Sequence, residues 1–306
     1  MIPFFFRRIL QLLPVLWGVG TLVFLLLHLV PGDPVDIMLG DSALPASKES
    51  LRTQLGLDQP LATQYKKFWL GIIQGDLGVS LLSKRPVAEL IWERLPATLE
   101  LAFLSVLIAL SIALPLGVAA AVRKDSIFDR CAIFISLLGV SLPTFWLGPI
   151  LVLVFSIGLG IFPVSERTSW DSYVLPSLTL GLALSAVLMR MTRASLLDVL
   201  GQDYVQTARA KGLSEFRVQW KHALRNALIP VITILSLQLG ALLSGTVITE
   251  TIFDWPGLGE LLYRAIQARD YPLVQGCVLV IASLYVIVNL AADVAYSLVN
   301  PQVRLE

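Results

Sequence analysis

The 306-residue chain carries 23 Lys and Arg against 22 Asp and Glu, is 56% hydrophobic and only 15% charged, and has a mean hydropathy of +0.77. Soluble domains hold about 25% charged residues, so this composition excludes a freely soluble globular domain. The net charge of +1 decides little by itself; where the charges fall decides more.

Arg7 and Arg8 precede an apolar run, 9–30, that ends in "PGDP". The run is longer than the roughly 7–15-residue core of a secretory signal, and it reads as an uncleaved first transmembrane helix within residues 1–30. Residues 31–97 form a long, more polar region on the opposite side. Within it, "PLATQYKKFWLGIIQG" sets Leu61, Tyr65, Phe68, Trp69, Ile72 and Ile73 at helical spacing. That pattern fits a short amphipathic helix lying on the outer membrane surface, and equally one packed on the protein itself.

Residues 98–306 hold five further apolar stretches of membrane-crossing length, at 98–122, 131–156, 174–191, 228–249 and 275–298. The expected fold class is thus an all-α membrane protein with six transmembrane helices. The fourth helix is thinned by Pro176 and small residues. Pro115, Pro143 and Pro149 each remove a backbone donor and favour kinks. Gln238, Ser244 and Thr246 dot the fifth helix, where a wet interior or ordinary interhelical hydrogen bonds would each account for them. Between the fifth and sixth, "ETIFDWPGLGELLYRAIQARDYP" is aromatic and turn-rich, suited to docking a soluble partner or to forming a folded cap. On the sixth helix, Asn289 and Asp293 stand four apart on one face. They line a path, contact a neighbouring helix, or, for Asp293, reach water at the helix end. Glu250 and Arg190 fall at helix ends and read as interfacial.

The short loops fix the orientation. With the N-terminus inside, thirteen Lys and Arg fall on the inner side and only Arg167, Arg264 and Arg269 in the short outer loops, as the positive-inside rule requires. Both termini are expected in the cytoplasm. Cys131 and Cys277 then lie at opposite faces, so they form no disulfide framework. The sequence has no G-x-x-x-x-G-K-[ST] phosphate loop, no H-E-x-x-H or C-x-x-C spacing and no nucleophile elbow. No catalytic residue, no metal site and no cofactor is assigned to this chain. His28 and His222 are read as structural, and nothing points to nucleic acid.

The inner loop between the fourth and fifth helices, 192–227, is the most informative stretch. "ARAKGLSEFRVQWKHALRN" (208–226) is basic and broken by one glycine. Leu196, Val199 and Leu200 give the preceding segment an apolar face. Gly212 suits a helix stop at positive φ, and Ser214 and Glu215 suit a helix start. The loop is expected to be a helix, a sharp turn and a helix, with Ala208, Ala210 and Gly212 at a slim tip able to enter a groove on another protein. A basic loop resting on lipid headgroups is the plainer alternative.

This loop resembles the cytoplasmic E-A-A-x-x-x-G signature of binding-protein-dependent ABC importer permeases. Ala208 takes the place of the second alanine, Gly212 of the glycine and Leu224 of the later leucine, while Gln206, Thr207 and Arg225 depart from the pattern. "TARAKGLSE" followed by "KHALRNALIP" is similar to the peptide and nickel branch of that family. "RRILQLLPVL", "VPGDPV", "LGLDQPLATQY", "GDLGVS", "RLPATLEL", "ETIFDWPGLG", "RDYPLVQG" and "NPQVR" extend the resemblance over nearly the whole chain.

The resemblance implies the first of two permease subunits in a bacterial inner-membrane importer of dipeptides, oligopeptides, glutathione or nickel. It implies that residues 31–97 are periplasmic. It makes Ala208, Arg209, Ala210, Lys211, Gly212 and Leu213 the coupling residues that seat in an ATPase. The implied partners are a second permease, two ATP-binding subunits that bring ATP and Mg, membrane lipid and a periplasmic or lipid-anchored substrate-binding protein. Gln238, Asn289 and Asp293 stand as pathway or helix-contact candidates. The rival reading is an ion-gradient-driven transporter with Asp293 as its ion site, though the inverted repeat such folds carry is not evident.

Overall fold

The structure is a computed structural model that describes residues 13–25, 35, 44–54, 56–165 and 167–299. Its described residues are dominated by helix and hold no β-strand, only an isolated bridge between Val79 and Pro86.

Helix α1 (Leu13–Leu25) is the described part of the expected first span. After α2 (Pro45–Gln54) comes α3 (Leu61–Gln74), the amphipathic segment, which stops at Gly75 with φ 77°. The Tyr65 hydroxyl hydrogen-bonds that of Thr21 at 2.8 Å. The Phe24 ring lies edge-on to Tyr65 at 5.2 Å and tilted against Phe68 at 5.5 Å. The aromatic face of α3 therefore packs on α1, while Leu61, Leu70 and Ile73 stay exposed.

Helix α4 (Val87–Val122) runs for 36 residues, which at 1.5 Å per residue is about 54 Å, well beyond the roughly 30 Å of a bilayer core. Residues 87–97, counted with the outer region in the sequence, are its first turns. Ala97, Leu101, Ser105, Ala109, Ala113, Gly117 and Ala121 recur every fourth residue along its buried face. Small side chains there let a neighbouring backbone come close. The neighbour is α7 (Val174–Leu200). A Cβ on Gly181 would sit 2.9 Å from the Ser105 carbonyl oxygen, and one on Gly117 2.9 Å from that of Met189. Most of α7's most apolar window is buried, 67% against at most 33% for the other long spans. The small residues that thin its hydropathy, Ser177, Thr179, Gly181 and Ser185 among them, are the ones it buries.

The stretch expected to be one helix over 131–156 is two. Helix α5 (Ile127–Ser141) and helix α6 (Thr144–Leu151), which runs on into a π-helical turn at Val152–Gly158, meet at 105°. Pro143 is the cause. A proline disfavours the helical conformation in the residue before it, and Leu142 is extended at φ −84°, ψ 116°. Pro115 and Pro149 stay inside their helices. The opposite end of α5 is fixed by Ser126, which caps the Asp129 N–H, and by Asp129 itself, which is 1% exposed. The Arg193 guanidinium of α7 donates to both Asp129 oxygens, at 2.5 and 2.7 Å.

Helix α8 (Asp203–Ala210) and the short α9 (Glu215–Arg217), extended by a π-helical turn at Val218–Ala223, lead into α10 (Leu224–Ile252). Helices α11 (Leu258–Gln267) and α12 (Tyr271–Val299) complete the chain's described order. The loop around α11 is a folded cap over the start of α4. Trp255 is fully buried and donates from Nε1 to the Ala97 carbonyl at 3.0 Å. Glu250 is 0% exposed rather than interfacial. Its carboxylate accepts from the Thr98 hydroxyl at 2.7 Å and from the backbone N–H groups of Gly259 and Glu260 at 2.7 and 3.0 Å. It thus satisfies the orphan donors at the start of α11. Asp270, also buried, accepts from the Ser80 hydroxyl at 2.5 Å and ties the 76–86 turn to the start of α12.

Among the described residues, four helices are long and apolar enough to cross a membrane, or five when α5 and α6 count as one broken span.

Candidate functional site: the helix–turn–helix and the cavity at the helix break

At the end of the molecule away from the cap, α8 and α9 form a hairpin held on by a small apolar core. Val205 and Ala208 from α8, and Val218 and Ala223 from the π-helical turn, pack with Val118 and Ala121 of α4, Leu196 of α7 and Leu224 and Ala227 of α10. The Asn226 amide donates to the Tyr204 hydroxyl at 2.7 Å and pins α8 to α10. Leu196 of the expected apolar face is fully buried, and Val199 and Leu200 pack against the same core.

The turn itself has the geometry its residues suggest. The Gly212 N–H donates to the Arg209 carbonyl at 2.9 Å and the Leu213 N–H to that of Ala208 at 3.4 Å. With Gly212 at φ +78°, this is a Schellman closure, which satisfies two carbonyls a helix end would leave unpaired. Ser214 occupies the N-cap position of α9 with extended backbone, but its side chain makes no cap bond. The Arg209 guanidinium bridges the turn to Glu215, with Nε 2.9 Å from Oε1 and Nη2 3.4 Å from Oε2.

The six residues expected to couple are therefore together, but they divide. Ala208 is buried in the supporting core, not at the tip, and Leu213 is half-buried against it. Arg209 braces the turn. Ala210, Lys211 and Gly212 are exposed. A Cβ on Gly212 would meet nothing within 4 Å, so its left-handed backbone, not space within this chain, calls for glycine. Two exposed aromatic residues flank the tip: Phe216 is 70% exposed, with its ring 6.1 Å from that of Trp220. Their positions after the glycine were visible in the sequence, but helical periodicity alone did not separate them from the buried Val218.

Gln238 lies elsewhere, well along α10. It lines a cavity of about 350 Å³ with Gly139, Val140, Leu142 and Thr144 from the α5–α6 break, Leu180 and Leu184 of α7, and Leu242. Asn289 is half-buried on α12 and does not line this cavity. The side chain of Asp293 falls outside the described residues.

The sequence profile described as "Binding-protein-dependent transport system inner membrane component" matches residues 113–305. The profile of the N-terminal part of such membrane components matches residues 1–102. The chain belongs to this family. The glutathione transport system permease protein GsiC of Escherichia coli O6:H1 is 45% identical over 304 residues, covering 99% of both chains. The dipeptide transport system permease protein DppB of Escherichia coli K12 is 42% identical over 336 residues, again covering 99% of both. In fold, the chain is similar to a solved inward-facing MetNI methionine ABC transporter, with a TM-score of 0.57 at 19% identity over 69% of this chain and 96% of that one. The protein is a multi-pass inner-membrane permease component, and the expected importer family stands.

Proposed function

We propose that this chain is one half of the translocation path of an ATP-driven importer of short peptides, of the dipeptide or glutathione kind. The observation that carries the reading is the braced turn at Gly212, exposed at its tip and seated on α4, α7 and α10. Nothing among the described residues packs on the tip at Gly212, whereas a cleft on an ATPase would call for a tip of this form. Ala210, Lys211 and Gly212 enter that cleft, Phe216 covers its rim, and Ala208, Arg209 and Leu213 hold the turn in shape.

The proposed topology has six spans, the first within residues 1–30, a periplasmic region through residue 97, and both termini in the cytoplasm. Residues 98–306 form the permease core. The helix–turn–helix is cytoplasmic and the α11 cap periplasmic, where a loaded binding protein would rest. A second permease completes the path, and two ATP-binding subunits bring ATP and Mg. Closure of the ATPase pair on ATP pulls the hairpins of both permeases. Because each hairpin shares a core with three long helices, the pull rocks those helices together. This makes a two-state element biased at one end by nucleotide and at the other by the loaded binding protein. The glutathione and dipeptide relatives support the substrate class.

Uptake of a labelled dipeptide and of glutathione by cells making the whole system tests the reading. Uptake should stop when ATP is depleted, persist when an uncoupler collapses the ion gradient, and be abolished by Gly212→Asp at normal membrane yield. Uptake that survives ATP depletion and stops with the uncoupler overturns it.

A further inference from the structure

The cavity at the α5–α6 break has three properties that together call for a ligand. Its wall is mostly aliphatic, from Val140, Leu142, Leu180, Leu184 and Leu242, with no charged residue. Its one carboxamide, Gln238, has no hydrogen-bond partner among the described residues. Its rim is a helix break. The first intrahelical bonds of α6 run from Trp146 and Leu147 to the Pro143 carbonyl, at 3.0 and 3.1 Å. The N–H groups before them have no helical carbonyl to reach.

The last two, the break and the carboxamide, are costly against lipid. Irregular backbone at membrane depth is tolerated only where it is buried in protein or lines a water-filled cavity, and a carboxamide without a partner pays its desolvation in full. The break stands fifteen residues into α5, about 22 Å along the helix axis, so it lies at membrane depth. A wet path explains the cost. The volume of about 350 Å³ falls near the lower end of the roughly 300–1,000 Å³ of small-molecule sites.

We infer that this cavity is a substrate subsite within the path, in which Gln238 pairs with a peptide bond while the aliphatic wall takes a neighbouring apolar side chain. A carboxamide offers both a donor and an acceptor, which matches the N–H and C=O of a peptide unit. The absence of charge in the wall means that the subsite reads the middle of a short peptide rather than its charged ends. The inference rests on the peptide-importer reading and adds to it where selection occurs inside the membrane, after release from the binding protein.

The test uses the whole importer, reconstituted in vesicles with its binding protein, with glycylglycine and leucyl-leucine as probes. Gln238→Leu keeps the side-chain bulk and removes the amide. It should raise the KM for uptake of both peptides about fivefold, the worth of one net hydrogen bond. Val187→Phe, from the same wall, shrinks the aliphatic space. It should lower leucyl-leucine uptake about tenfold relative to glycylglycine, the scale on which apolar pockets discriminate. Leu237→Ala, on an exposed neighbour, is the control and should change neither. Intact complexes in which Gln238→Leu leaves KM unaltered and Val187→Phe leaves the ratio unaltered overturn the inference, and place a lipid tail or a partner side chain in the cavity. Should Val187→Phe fail to assemble, the KM of Gln238→Leu decides alone. If the unaltered importer carries neither peptide, the peptide reading itself falls and the subsite with it.

Discussion

Gly257 and Gly259 show how closely single positions are set in this molecule. A Cβ on Gly257 would lie 2.3 Å from the Glu250 carboxyl group, and one on Gly259 2.5 Å from the Val247 Cα. The glycines of "WPGLGE" therefore exist to let the start of α11 close onto a buried carboxylate. Gly259→Ala forces backbone against backbone and should cost about 2 kcal/mol by overpacking. Glu250→Ala orphans two N–H groups and a hydroxyl, for a loss on the order of 3 kcal/mol. Thermal unfolding of the purified complex should place both below the unaltered protein. An unchanged transition for Glu250→Ala would refute the capping role. The sequence exposed the motif but not its partner. Glu250 stands at the edge of a hydrophobic run, and only the tertiary approach of α11 turns it from an interfacial charge into a buried cap. Gly212 was the more legible glycine, because its requirement is local: a positive φ between two helical segments needs no tertiary partner to be recognised.

Among the elements, α5 is held to α7 by the Asp129–Arg193 pair near one end and by the Gly139–Ala186 approach near the other, where an added Cβ would come to 2.9 Å. Helix α7 in turn leads within three residues into α8. The broken helix that walls the cavity is thereby fastened to the helix that feeds the hairpin. Breaking the buried pair one-sidedly, as in Asp129→Ala, strands a guanidinium and should cost roughly 3–5 kcal/mol, whereas the double change Asp129→Leu with Arg193→Met should cost much less. Thermal unfolding of the complex reads the order, and a double variant as unstable as the single one would show that the charges are not paired in this way. Elements were read well from sequence where periodicity and length suffice, as for α3 and α12. They were misread where proline acts through its neighbour: a hydropathy window over 131–156 passes across Pro143 and sees one helix, although the extended Leu142 makes two. The every-fourth-residue run of small side chains on α4 was in the sequence all along. Its meaning lies in the backbone of α7, which a single chain read linearly does not bring alongside.

In the whole molecule, two ends are joined through a packed middle. One end carries the Glu250 and Asp270 clasps, the other the Gly212 turn, and α4 and α7 run between them in close contact. The coupling proposed for the hairpin needs a contiguous element with two arrangements, and the long helices that share its core are the element the proposal assigns to that role. Family membership was legible because short motifs recur in order over the full length. The path was not, because helix rotations decide which polar residues face it. Of the three polar candidates, the structure brings Gln238 to a cavity.

The most direct measurement is purification of this chain in mild detergent, with identification by mass spectrometry of what accompanies it, for the unaltered protein and for Gly212→Asp. Aspartate tolerates the left-handed backbone better than most residues, and the space around Gly212 is open, so the variant should keep its fold and its permease partner. The unaltered chain should bring a second permease and phosphate-loop ATPases, and Gly212→Asp should lose the ATPases alone. ATPases retained in full by the variant, or an unaltered chain that emerges alone and takes up substrate on an ion gradient, would contradict it.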